Sequence, residues 1–183
     1  MSQEKDNQLA NSKRWYVIFT KHNCEKKLQQ TLETNGYNAY VPVYSTIRQW
    51  SDRKKKVIVP LINSVVFVQM PQMFLNDLYN FSNVKGILKD LGQPAIVRDF
   101  EIENLKIIAK EWNGEVVSDN SDKGLFDKGD NVEVLRGLFA GIFGELVDIN
   151  GKHRVVVRLK SMNVEFVINV PLNAVKKSSK EKV

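Results

Sequence analysis

The chain has 183 residues, 43% of them hydrophobic and 26% charged, an ordinary globular composition with room for one large domain or two small ones. Its longest apolar runs, Val65–Val68 and Val155–Val157, fall far short of the ~20 residues that span a bilayer, which excludes a transmembrane helix. Cys24 is the only cysteine, so a disulfide framework and a cysteine-based zinc site are excluded, and a cytoplasmic location is expected.

Charge is unevenly spread. Residues 1–12 carry a net −1, residues 13–110 carry +7, residues 111–124 carry −3 and residues 125–183 carry +3, for a total of +6. Two basic blocks flank a short acidic stretch, and basic blocks attract polyanions such as nucleic acid. Residues 1–12 are polar and lack the apolar segment of a secretory signal, so a disordered tail is expected there.

The first block opens on Trp15-Tyr16-Val17-Ile18-Phe19-Thr20, whose aromatic and β-branched residues predict a buried strand. A helix follows from Asn23, a natural N-cap, with Cys24, Leu28 and Leu32 on one face and Gly36 to end it. Ala39–Trp50 and Lys56–Met70 read as strands, joined by Ser51-Asp52-Arg53-Lys54-Lys55 as the basic tip of a hairpin. Pro71 begins a second helical stretch through Phe81, with Phe74, Leu75, Leu78 and Tyr79 near helical spacing. Val84–Leu91 is a weaker strand and Gly92-Gln93-Pro94 a turn. A third helix is expected from an Asp99 N-cap, with Ile102, Leu105, Ile108 and Trp112 on one face. This order predicts an α+β fold, an antiparallel sheet with flanking helices, over residues 13–112.

Residues 113–124, rich in turn formers and without aromatics, are expected to be a flexible linker. Beyond it, Asp130–Leu135, Glu145–Ile149, Arg154–Leu159 and Val164–Val170 alternate with turns, including the hairpin dipeptide Asn150-Gly151. Short strands at this spacing predict a small all-β barrel over residues 125–177, with a basic disordered tail at 178–183.

Trp15-Tyr16-Val17-Ile18, Tyr40-Val41-Pro42, Pro60-Leu61-Ile62 with Val66-Phe67-Val68, and Pro94-Ala95-Ile96-Val97 together resemble the amino-terminal domain of NusG-type transcription factors. Gly129-Asp130-Asn131-Val132-Glu133-Val134, with Gly137-Leu138-Phe139-Ala140-Gly141 and Gly144, resembles the KOW motif that opens the family's SH3-like carboxy-terminal barrel. The Pro-Ala-Ile-Val segment, the acidic helix after it and the overall length are also similar to the specialised antiterminators of Bacteroides-type polysaccharide loci. The resemblance implies a monomeric transcription elongation or antitermination factor without cofactor, metal or membrane contact. Such a factor binds the coiled coil of the RNA polymerase clamp, suppresses pausing or termination, and recruits a ribosomal protein or a termination factor through its KOW domain.

Site residues follow from the same resemblance. An apolar groove for the clamp would hold Phe19, Ile62, Val65, Phe67 and Leu91, with Ile102 and Leu105 at its edge. Because Ile62 and Val65 stand where related antiterminators often have aromatics, a shallow groove is expected. A basic side made of Lys21, His22, Lys26, Lys27, Arg48, Arg53, Lys54, Lys55, Lys56 and Lys85 would face the non-template DNA strand, with His22 or Tyr40 stacking on an unpaired base. In the KOW turn, Leu138, Phe139 and Ile142 would meet the recruited partner, whereas the structural role open to Phe139 is to plug one end of the barrel. For each residue the competing reading is plain core or solvated surface.

No HExxH, Walker or GxSxG pattern occurs, and His22 and His153 sit in no ligand cluster, so no enzyme is expected. The alternative is a ribosome- or RNA-associated KOW protein with an RRM-like first domain, which would need stacking aromatics on its sheet.

Overall fold

The computed structural model describes residues 12–49, 53–112, 115–118, 129–149, 152–159 and 162–178. The chain forms two compact units, Met1–Ile102 and Glu103–Val183.

The first unit runs through β1 (Arg14–Thr20), α1 (Glu25–Thr34), β2 (Asn38–Tyr40), β3 (Val43–Gln49), β4 (Lys54–Pro60) and β5 (Val65–Met70). A 3-10 helix at Gln72–Asn80 follows, then β6 (Val84–Ile87), β7 (Lys89–Asp90), β8 (Gln93–Pro94), β9 (Ile96–Val97) and the first turn of α2 (Asp99–Lys110). The main sheet has the order β2-β5-β1-β6, all antiparallel, and β9 takes up the edge of β1 where β6 leaves it. Among the described residues, β3 and β4 pair only with each other, as do β7 and β8.

Strand alternation explains the core. Tyr16 and Ile18 of β1, with Val66, Val68 and Met70 of β5, pack against Leu28 and Leu32 of α1 and Leu75 and Leu78 of the 3-10 helix. Each such leucine contributes about 1.5–3 kcal/mol by leaving water, so Leu32→Ala alone costs about 2–5 kcal/mol. Glu25 is buried in the first turn of α1, and its Oε1 accepts the Ser64 N–H at 2.6 Å, fixing the helix against the turn that enters β5.

Several local expectations change. Asn23 does not cap α1: it lies at φ 58°, and Cys24 takes the cap position without a side-chain hydrogen bond. Asp99 is the first residue of α2, and Glu101 Oε2 accepts the Arg98 N–H at 2.9 Å at that end. Each long apolar run splits, because Pro42 interrupts the first and a turn with Ser64 at φ 58° interrupts the second. The stretch from Pro71 is a 3-10 helix because only Leu75 and Leu78, three apart, reach the core, while Phe74 and Tyr79 stay exposed.

The second unit contains α2 from Glu103 onward, β10 (Glu115–Ser118), β11 (Asn131–Val134), β12 (Phe143–Ile149), β13 (Lys152–Leu159), β14 (Val164–Asn169) and β15 (Val175–Lys177). They form one antiparallel sheet in the order β10-β14-β13-β12-β11-β15. Register places Val132, Val155, Val157, Leu159, Phe166 and Ile168 on one face, all buried. Arg158 on the opposite face pairs with both Glu145 and Glu165, tying β12, β13 and β14 together.

The boundary between units lies inside α2, ahead of the stretch whose composition suggests a linker. Residues 115–118 of that stretch are a strand paired with β14, because Glu115-Val116-Val117-Ser118 offers two β-branched residues and no glycine or proline. Residues 113–114 and 119–124, the tails at 1–11 and 179–183, and the Asn150-Gly151 turn lie outside the described residues.

Candidate functional site

The expected apolar groove is only partly a surface. Register sets Phe19 opposite Val65 and Val17 opposite Phe67 across β1 and β5, so these side chains share one face of the sheet. On the same face the Tyr40 ring lies 6.4 Å from that of Phe67. Phe19 is 38% exposed, whereas Val65 and Phe67 are buried at 2% and 0%. Ile102 and Leu105 are buried as well, at 1% and 0%, and Leu105 belongs to the second unit. These four therefore offer no surface in this structure, Val65 and Phe67 because their strand is buried along nearly its whole length, and Ile102 and Leu105 because they lie on the buried side of α2. Ile62 is half buried in the turn before β5.

Leu91 is the opposite case. It occupies the tip of the β7–β8 hairpin at φ 48°, followed by Gly92 at φ 83°, and is 98% exposed. Two consecutive positive φ angles belong to the tight hairpin turn that normally selects Asn-Gly or Asp-Gly. A leucine there carries both conformational strain and a bare apolar side chain.

The basic residues gather on the first unit. Lys21, His22, Lys27 and Lys85 are exposed, and the Lys21 N–H donates to the Asn83 carbonyl, which brings the end of β1 beside the start of β6. The Lys26 ammonium donates to the Ile58 carbonyl at 2.6 Å, so the first turn of α1 and the β3–β4 ribbon lie side by side. Arg53, Lys54, Lys55 and Lys56 are exposed along the ribbon, and Arg48 is opposite Lys55, its side chain lying outside the described residues. Tyr40 is half buried, leaving His22 as the more accessible stacking group.

In the KOW turn, Gly141 at φ 90° donates its N–H to the Val134 carbonyl at 2.7 Å and closes the loop. A side chain at Gly144 would meet Val155 Cγ1 at 2.6 Å and the Val156 carbonyl oxygen at 2.7 Å, so only glycine fits against β13. Phe139 and Ile142 are buried at 4% and 0%, which corrects their expected place at a partner surface: both are core residues, held inward by the closed loop. Leu138 is 63% exposed, and Leu135 beside it is 49% exposed.

Sequence reasoning missed Asn104. This buried side chain donates from Nδ2 to the Phe143 carbonyl at 3.0 Å and accepts the Phe143 N–H at Oδ1, seating α2 against the start of β12 within the second unit. Trp112 packs edge-on to Phe166, ring centres 5.8 Å apart. A polar residue flanked by Ile102 and Leu105 was the available clue. Among the described residues, no three His, Cys, Asp or Glu side chains gather as a metal site requires, and no helix is long and apolar enough to cross a membrane.

A sheet-and-helix unit with a basic ribbon, followed by a small β unit with a closed glycine turn, defines a two-unit α+β protein. The NusG family model, described as "Transcription termination factor nusG", matches residues 13–106, just over half of the sequence. The chain belongs to the NusG family, whose members are non-enzymatic transcription factors. Among solved structures it is similar to one titled "Domain interaction in Thermotoga maritima NusG", at 23% identity and a TM-score of 0.47, covering 91% of this chain and 97% of that one. It is also similar to a crystal structure of an MjSpt4:Spt5 complex, at 19% identity and a TM-score of 0.28, covering 91% of this chain and 99% of that one. No curated protein matches it significantly.

Proposed function

We propose that this NusG-family factor binds the coiled coil of the RNA polymerase clamp and suppresses pausing or termination during elongation, acting as a monomer in the cytoplasm. Its apolar contacts are Phe19, Ile62 and Leu91, with Val65 and Phe67 buried beside Phe19 on the same face of the sheet. A helical partner laid on this face would cover side chains that water now touches. The observation that carries the reading is Leu91, a fully exposed leucine held in a strained turn. The basic side, from Lys21 and His22 through Lys27, Lys85 and the ribbon, faces the upstream nucleic acid, including the non-template strand, and gains affinity by counterion release. The second unit is the recruiter, presenting Leu138 and Leu135 to a ribosomal protein or a termination factor. Antitermination at polysaccharide loci is the subfamily role that the sequence resemblance favours.

Capture on immobilised core polymerase tests this reading. The full chain is retained, and a Phe19→Ser, Leu91→Ser variant with an unchanged melting temperature is not. A folded wild-type chain that polymerase fails to retain overturns the proposal, and binding to RNA alone with no polymerase retention favours an RNA-associated KOW protein.

A further inference from the structure

The β3–β4 ribbon is a distinct element with a sorted chemistry. Its register runs from Val43 opposite Pro60 to Gln49 opposite Lys54. Its base is closed by the Leu61 N–H on the Pro42 carbonyl at 2.7 Å, and Lys26 ties β4 to α1. Directly opposed residues share a face, so the register divides the side chains into two sets. Tyr44, Thr46, Val57 and Val59 belong to one set and are half buried, and the same set ends on Arg48 and the exposed Lys55. Val43, Ser45, Ile47, Gln49, Lys54, Lys56, Ile58 and Pro60 form the other; Val43 and Pro60 at its base are half buried, and the remaining six are exposed, Ile47 at 68% and Ile58 at 57%.

We propose that this exposed face enters the major groove of duplex DNA, setting Ile47 and Ile58 against thymine methyl groups and Lys54 and Lys56 on the flanking phosphates. The proposal rests on the reading that the basic side of the first unit faces nucleic acid, and it names the form of nucleic acid and the face that meets it. Size permits the fit: the paired ribbon is roughly 20 Å long, its strands about 4.8 Å apart, and the B-form major groove is about 12 Å wide and admits a two-stranded ribbon. Chemistry favours it too. Aliphatic side chains contact thymine methyls and lysines neutralise phosphates, and Lys54 and Lys56 supply the complementary charge on this face. A single strand would require stacking aromatics, and the face has none among its described residues. Double-stranded RNA hides its bases in a deep, narrow groove that side chains cannot read. Lysines along an open ribbon also oppose pairing with a second copy.

Fluorescence anisotropy of the full chain with a labelled, A·T-rich B-form duplex tests this, against the same duplex with uracil in place of thymine. Uracil removes only the methyl groups, and the expected loss is about fourfold in affinity per methyl engaged. Ile47→Ser with Ile58→Ser binds both duplexes alike and keeps the salt dependence. Lys54→Gln with Lys56→Gln keeps the thymine preference and lowers the slope of log affinity against log salt by about 1.8. All four side chains are exposed, so an unchanged melting temperature is expected of each variant. Equal affinity of the wild type for the two duplexes overturns the proposal, as does tighter binding to the single strand or to an RNA duplex. Polymerase capture by the same variants is read in parallel. Intact capture without a thymine preference sinks the groove reading and leaves the elongation-factor reading standing, whereas loss of capture in the serine variant assigns this face to a protein partner instead.

Discussion

Exchange of Leu91 for asparagine is expected to move stability and polymerase affinity in opposite directions. Leu91 holds φ 48° at the hairpin tip, where a leucine costs about 1–2 kcal/mol and asparagine is at home. Its side chain is 98% exposed and supports nothing in the folded chain, so the substitution raises stability by about 1 kcal/mol. The same side chain, if covered by the clamp helix, contributes about 1.5–3 kcal/mol to binding, and its loss weakens the complex roughly 10- to 150-fold. Urea denaturation gives the first quantity, and titration of labelled protein with core polymerase gives the second. Leu91→Ala keeps the strain and removes most of the apolar surface, so it lowers affinity without the gain in stability. An affinity for Leu91→Asn within about twofold of wild type refutes the docking role. A loss of stability refutes the strain argument.

Other expectations concern the two cores. The Tyr16 hydroxyl is fully buried and has no hydrogen-bond partner among the described residues. Burial raises its pKa, and the positive charge of Arg14 offsets this in part. The folded state thus holds the proton more firmly than the unfolded chain, so stability is complete below about pH 10 and declines as pH rises beyond it. Tyr16→Phe removes that alkaline decline and raises stability at neutral pH by about 1 kcal/mol, both measurable by urea denaturation; a lower stability at neutral pH contradicts the unpartnered hydroxyl. Gly144→Ala drives a methyl into Val155 and the Val156 backbone and is expected to destabilise the second unit by about 1–3 kcal/mol, read from its thermal transition. Asn104→Leu removes both hydrogen bonds between Asn104 and the Phe143 backbone, costing about 1–3 kcal/mol, and hydrogen exchange at the Phe143 amide accelerates if that bond is its protection.

Much of the fold was readable because its periodicities are clean. Trp15 to Thr20, Arg154 to Leu159 and Val164 to Asn169 form strands where β-branched and aromatic residues cluster, and Leu28 and Leu32 mark the buried face of α1. Burial was harder, because a strand such as Val65–Met70 is apolar on both faces, and sequence does not say which face stays open. The family resemblance therefore placed Val65, Phe67, Ile102, Leu105, Phe139 and Ile142 at surfaces, and all six are buried. Polar residues acting through the backbone, such as Glu25 on Ser64 and Asn104 on Phe143, leave no periodic trace. Ile47 and Ile58 were invisible as a pair until the register put both on one face of the ribbon.

The central claim is that this chain acts on elongating polymerase through the exposed apolar side chains of its first unit. Single-round transcription on a template with a strong pause measures this directly, comparing pause half-life without protein, with the wild-type chain, and with the Phe19→Ser, Leu91→Ser variant. A shortened pause with the wild type and the unassisted half-life with the variant is the result expected. An unchanged half-life with the folded wild type, at concentrations that saturate polymerase capture, contradicts the account.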